Sequence, residues 1–188
     1  MYCPIKYSYM NKPLTPAQLV RQRGRSLPVY ACYAAKEAFE NCGEGIVLVV
    51  RQHAGGNFTV GAYLVDIWCR GIRDTFYRVR VEKEELDELI EQFETQGIEP
   101  VEYEEAHNWV YGALDWAERA GMHQHKGFDT TKFLLADDED ESVPIIEYEF
   151  GKDGKHCFVA GSEAELNRYL PILRKTLGGG NFSYIVRL

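Results

Sequence analysis

The sequence predicts an α+β protein: an antiparallel three-stranded meander flanked by helices, followed by a helix, a β-hairpin, a helix and a terminal strand. Three observations predict it. Residues 45–81 are rich in β-branched and aromatic residues and are broken by a Gly/Asn turn, as strands and their connections are. Apolar residues recur at helical spacing at Leu86, Leu89, Ile90 and Phe93, and again from Ala106 to Ala117. Asp153-Gly154 lies between two β-like runs and is a strong type I′ hairpin signal.

Taken in order, Thr15-Pro16 starts a helix: Thr caps, Pro suits the first helical position, and Gln18 completes a capping box. Gly24 stops it. Ser26–Asn41 is predicted as a second helix, with Val29, Cys32, Tyr33 and Phe39 at helical spacing and Gly43 as its stop. The meander follows: Gly45–Gln52, a turn at His53–Asn57, Phe58–Trp68, a bend at Cys69-Arg70-Gly71, and Asp74–Val81. Glu82–Gln96 is an acidic amphipathic helix, and Tyr103–Ala120 a longer one with a broad apolar face. Thr130–Leu135 is a short helix and Asp137–Glu141 an acidic loop. Ile145–Phe150 and His156–Ala160 make the hairpin. Ser162 with Glu165 caps a helix to Leu177, and Asn181–Leu188 is the last strand. With no repeat and no low-complexity linker, residues 1–188 are expected to form one compact unit, in which 1–98 and 99–188 are the natural subdomains.

The net charge of −8 divides unevenly, since residues 1–81 carry 11 basic and 5 acidic groups (+6) and residues 82–188 carry 10 and 24 (−14). A phosphate-binding face made of the basic residues 6–25 would produce this, because clustered Lys and Arg release counterions from a polyanion. So would a basic half that packs against an acidic half of the same chain, and that is the simpler reading. Apolar runs such as Ile46–Val50 fall far short of the roughly 20 residues that cross a bilayer. Residues Met1–Lys6 lack a signal-peptide pattern, and Cys3, Cys32, Cys42, Cys69 and Cys157 form no C-x-x-C pair. A cytoplasmic protein without a membrane partner is expected.

Two segments look like more than scaffold. In Gly61–Phe76, alternation puts Asp66 on one strand face with Leu64 and Trp68, where a charge needs a partner. Asp66 is then either a metal ligand or general base, with Asp74 across the bend, or a structural carboxylate held by Arg70, Arg73 or the N–H groups of the next turn. Cys69 is a candidate ligand-binding or nucleophilic thiol, although only Arg70 is near in sequence to activate it, and packing is the competing role. The second segment is His107-Asn108-Trp109 with Tyr111 on a helix, followed by His123-Gln124-His125-Lys126 and Asp129. His123 and His125 at i, i+2 would point the same way, as two metal ligands do, and His107 or Asp129 would complete a set. No zinc or iron spacing is met, however, and a histidine past a helix C-terminus is favourable without any metal. Asn108, Tyr111 and Lys126 are candidates for lining a ligand site. No phosphate loop, dinucleotide fingerprint, nucleophile elbow or H-E-x-x-H occurs, so no cofactor is implied.

At these segments the chain resembles a family of uncharacterised bacterial proteins. That family pairs a G-x-Y-L-V-D-x-x-C-x-G-x-x-D-x-F strand with an A-H-N-x-x-Y-G-A helix and an H-K-x-F segment. Here these are Gly61–Phe76, Ala106–Ala113 and His125–Phe128, within roughly residues 45–160. The chain departs from the pattern at Arg70, where the family has a small or apolar residue, and at Gln124 and Gly127, where it has Pro and Asp. The family carries no assigned activity, so the resemblance supplies no catalytic residues. It implies that His107, Asn108, His125 and Lys126 belong with Asp66 and Cys69 as one package.

The leading expectation is a binding or adaptor protein, nucleic-acid-associated through residues 6–25; helix, three strands and helix at 26–96 also follow the order of a double-stranded-RNA-binding domain. The rival is a metal-dependent hydrolase, a nuclease or phosphoesterase, using Asp66 with His107, His123 or His125. A subunit that meets a protein partner is the third.

Overall fold

Strands that bury both faces lose the apolar/polar alternation of a half-exposed sheet, and the sequence from 44 to 66 has lost it. The computed structural model describes residues 13–187, so Cys3, Lys6 and Lys12 lie outside the described residues. The elements are α1 (Pro16–Arg23), β1 (Val29–Ala34), α2 (Lys36–Cys42), β2 (Glu44–Gln52), β3 (Phe58–Asp66), β4 (Gly71–Val81) and α3 (Lys83–Glu94). After these come β5 (Glu99–Val101), α4 (Tyr103–Arg119), α5 (Phe128–Thr131), β6 (His156–Ala160), α6 (Glu163–Leu177) and β7 (Phe182–Val186). The α+β class stands. The expected meander β2-β3-β4 is the larger part of a five-stranded antiparallel sheet ordered β4-β3-β2-β1-β5.

Successive side chains in this sheet go to opposite layers. Cys32, Ala34, Val47, Val49, Tyr63 and Val65 pack with Ala106, Trp109 and Val110 of α4. Ala31, Tyr33, Val50, Phe58 and Val60 pack with Leu86, Leu89 and Phe93 of α3. Helices thus cover both faces, which is why the strands read as continuous apolar runs.

Three expected elements differ from the structure. Ser26–Asn41 is not one helix: β1 occupies Val29–Ala34 and only Lys36–Cys42 is helical. Val29, Cys32 and Tyr33 satisfy helical spacing, but the same residues fill both faces of a strand inserted between β2 and β5, whose ladders supply its hydrogen bonds. The order at 26–96 therefore begins with a strand, and the helix that precedes the three strands is the short α2 alone. The short helix expected at Thr130–Leu135 is a turn of α-helix from Phe128 followed by a 3-10 turn at Lys132–Leu134.

The expected hairpin is the third difference. The Asp153-Gly154 turn forms, with φ of 54° and 72° and with Lys152 and Lys155 exchanging backbone bonds of 2.8 and 3.1 Å. Pairing stops there because the flanking peptides turn elsewhere: Gly151 N–H donates to the Ile67 carbonyl (2.8 Å) and Cys157 N–H to that of Trp68 (3.1 Å). β6 instead pairs in parallel with β7 across the helical connection α6, from His156↔Phe182 to Ala160↔Val186. Residues 144–150 are left outside any sheet.

Helix starts follow their local signals. Thr15 and Gln18 form the capping box of α1, and Ser162 caps α6 through the Glu165 N–H (3.2 Å). The uneven charge is resolved in part by ion pairs between the basic and acidic halves: Arg25–Asp137 at 2.7 Å, Lys36–Glu105 at 2.7 Å and Arg70–Glu165 at 2.9 Å. Arg21 and Arg25, read as part of a nucleic-acid face, are engaged with Thr130 and Asp137. Among the described residues no helix is long and apolar enough to cross a membrane.

Candidate anion-binding cleft

The turn that ends β3 is built on Asp66. One carboxylate oxygen accepts the N–H groups of Trp68 (3.0 Å) and Cys69 (2.9 Å), and the other accepts Nε–H of Arg70 (3.2 Å). Asp66 is 5% exposed. Burial raises its pKa, while Arg70 and the Cys69 N–H pull it back. This is the structural pairing with Arg70 and the turn's N–H groups; the alternative pairing with Asp74 is absent. Asp74 is an exposed rim residue whose carboxylate accepts the Thr75 N–H and lies 3.5 Å from His125 Nδ1. Cys69 is fully buried, and burial, with the Asp66 charge beside it, pushes its thiol up, against any role as a thiolate nucleophile.

Arg70 carries the turn outward. Its Nη1 donates to Glu165 at the start of α6 (2.9 Å), and Arg73 of β4 reaches the same oxygen (3.4 Å) and Glu44. Burial opposes the charge on Arg70, and Asp66 and Glu165 more than offset it, so its pKa stays above the ordinary value. Glu165 is held below the usual carboxylate range by the Gly161 N–H, against burial, with Arg70 adding to the effect. Glu165, expected to share a capping box with Ser162, turns its side chain to Gly161 and the two arginines instead. Nothing local could have indicated a partner 95 residues away.

Above this wall opens a cleft of about 560 Å³ between β4, the segment after α4 and α6, lined by Arg73, His123, His125, Lys126, Glu165 and Arg168 among others. The i, i+2 histidines share it. His125 is fixed by its backbone N–H to the Ile72 carbonyl (2.9 Å), and its Nδ1 lies 3.3 Å from the Gly127 N–H and 3.5 Å from the Asp74 carboxylate. Lys126 and Arg168 form no ion pair among the described residues. A smaller pocket of about 210 Å³, lined by Cys42, Asp66 and Arg187, lies against the same Arg70, Arg73 and Glu165. The chemistry on offer is capture of an anion by cations and imidazole N–H donors.

The remaining candidates stand elsewhere. His107 lies between the rings of Tyr103 (5.9 Å) and Tyr111 (4.7 Å) and is 4% exposed, with no hydrogen-bond partner for Nε2 among the described residues. Tyr111 donates to the Ala136 carbonyl (3.2 Å), and Asn108 holds Pro144 and Ile146. Asp129 is exposed on α5. The package implied by the family resemblance therefore divides, with His125 and Lys126 at the cleft beside the Asp66–Arg70 turn and His107 and Asn108 under residues 136–146. Among the described residues no three His, Cys, Asp or Glu side chains converge as a metal site requires, so His123, His125 and Asp129 do not form the set expected of them.

Buried imidazoles make stability depend on pH. His156, stacked 4.0 Å from Trp116 and donating from Nε2 to its carbonyl (2.8 Å), is buried like His107, and burial lowers both below the ordinary 6.5. The unfolded chain takes up these protons near pH 6.5 and the folded one only lower, so stability is full above that pH and falls as pH drops below it. Urea midpoints are expected to be lower at about pH 5.5 than at about pH 7.5, with a shallower slope in His107→Phe. Equal midpoints in the wild type would contradict this.

No family model matches the chain, and no curated protein or solved structure matches it.

Proposed function

We propose that this is a cytoplasmic nucleic-acid-binding protein that holds backbone phosphates in the cleft between β4, residues 122–126 and α6. The observation that carries the reading is a set of cations without acidic partners. Lys126 and Arg168 border the cleft. Arg78 and Arg80, also outside the ion pairs among the described residues, are exposed further along β4, the outer strand of the sheet. Arg78 projects from the face of β4 that carries Phe76 against α3, whereas Thr75 faces α5, so Lys126 and Arg168 are the unpaired cations of the cleft itself. This moves the nucleic-acid contact away from residues 6–25, where Arg21 and Arg25 are engaged within the chain. The free thiols Cys32, Cys42, Cys69 and Cys157 suit a reducing compartment.

A filter-binding titration against duplex RNA, single-stranded RNA and DNA tests the reading. Binding is expected at low salt and should weaken as salt rises. The Lys126→Ala/Arg168→Ala protein should lose about tenfold or more in affinity and lower the log–log salt slope by about 1.4–1.8, the share of two phosphate contacts. No binding at low salt, indifference to salt, or a double variant equal to the wild type would each refute it.

A further inference from the structure

Residues 144–150 behave as a strand with no partner. Their side chains alternate: Ile146, Tyr148 and Phe150 are half-buried toward α4, and Ile145, Glu147 and Glu149 are exposed. Tyr148 stacks on Trp109 with ring centres 3.8 Å apart, and Phe150 meets the same indole edge-on at 6.2 Å. The Asn108 amide fastens the start, donating to the Pro144 carbonyl (2.9 Å) and accepting the Ile146 N–H (3.1 Å). The Gly151 N–H to Ile67 fastens the end. Between these anchors residues 144–150 make no backbone–backbone hydrogen bond among the described residues. Apart from the Pro144 carbonyl and the Ile146 N–H, which the Asn108 amide holds, these peptide groups are unpaired, and such an edge is a template for another strand.

The exposed side chains select the occupant. Ile145 is 89% exposed, beside a backbone edge that is free to pair. Glu147 and Glu149 face outward, and Asp137–Glu141 adds five acids just upstream, of which Asp137 is paired with Arg25. A second copy of the same segment would set like charges against each other, which opposes pairing. We propose that residues 144–150 are a docking strand that takes an extended, basic segment of a partner protein. The partner's backbone adds to the peptides of 145–149, its Lys or Arg side chains lie opposite Glu147 and Glu149, and an apolar residue covers Ile145. This surface shares no residue with the phosphate cleft, so the two readings stand or fall separately.

The test is fluorescence anisotropy of the whole protein with an end-blocked alternating lysine–valine octapeptide at physiological salt, beside a glutamate–valine octapeptide. Amide hydrogen exchange is read on the same samples. The basic peptide is expected to bind and the acidic one not to. Binding should slow exchange at the free amides of Ile145, Glu147 and Glu149, and Glu147→Lys/Glu149→Lys should weaken it roughly tenfold or more. Both changes are at exposed positions, and an unchanged melting temperature would verify the fold. The proposal is overturned if the basic peptide does not bind or if charge reversal leaves its binding intact. It is also overturned if the peptide binds without slowing exchange at those free amides, or if the protein alone is a dimer in which they are already protected.

Discussion

Asp66→Ala is expected to destabilise the protein by about 3–5 kcal/mol, the usual result of removing one partner from a buried ion pair. The change would orphan the N–H groups of Trp68 and Cys69 and leave buried Arg70 leaning on Glu165 and the more distant Glu44. Asp66→Asn should lose roughly half as much, since its carbonyl oxygen still accepts the turn's N–H groups while its amide faces a guanidinium. Urea denaturation followed by tryptophan fluorescence reads both, and Trp68 sits in the turn itself. A loss below about 1 kcal/mol for Asp66→Ala would mean that the turn is held by its packing rather than by the carboxylate. The cleft should suffer with the fold, because Arg70 is the link between this turn and Glu165.

Gly43→Ala is the other large effect expected. Gly43 ends α2 in the left-handed region, with φ of 74° and its N–H on the Phe39 carbonyl (3.0 Å). A β-carbon there would overlap Cγ and Cδ2 of the Trp68 indole. The left-handed backbone costs an L-residue about 1–2 kcal/mol and overpacking about 1–3 more, for a total of roughly 2–5 kcal/mol. Trp68 has little room to yield, since its carbonyl accepts both the Trp116 indole N–H (3.1 Å) and the Cys157 N–H (3.1 Å). Thermal melting should show a drop of many degrees. A near-normal melting temperature would show that the indole can move aside without disturbing those bonds.

Both substitutions act on the strand block that stood out in the sequence, and they show which of its features were legible. Asp66 was visible as a charge on an apolar face, and its pairing with the next turn's N–H groups and Arg70 needs residues within four positions. The role of Gly43 against Trp68 was not visible, because it needs β2 and β3 side by side. His123 and His125 could be read as pointing the same way. That Arg73 and Arg168 would join them around one cleft could not.

What the sequence by itself determined is therefore the local part: the capped starts of α1 and α6, the meander, the apolar stripes of α3 and α4, the Asp153-Gly154 turn and the Asp66 turn. Each depends on side chains and peptides a few residues apart, whose preferences act wherever the segment lies. Only the tertiary structure decided that Val29–Ala34 is a strand, that β6 pairs with β7 and not with 145–150, and that Glu165 meets Arg70. In each case a segment with two adequate local conformations, or a side chain with several suitable partners, was settled by hydrogen bonds and burial offered by distant residues. An apolar run such as Val29–Ala34 buries equally well as helix or strand, and the open edges of β2 and β5 chose the strand.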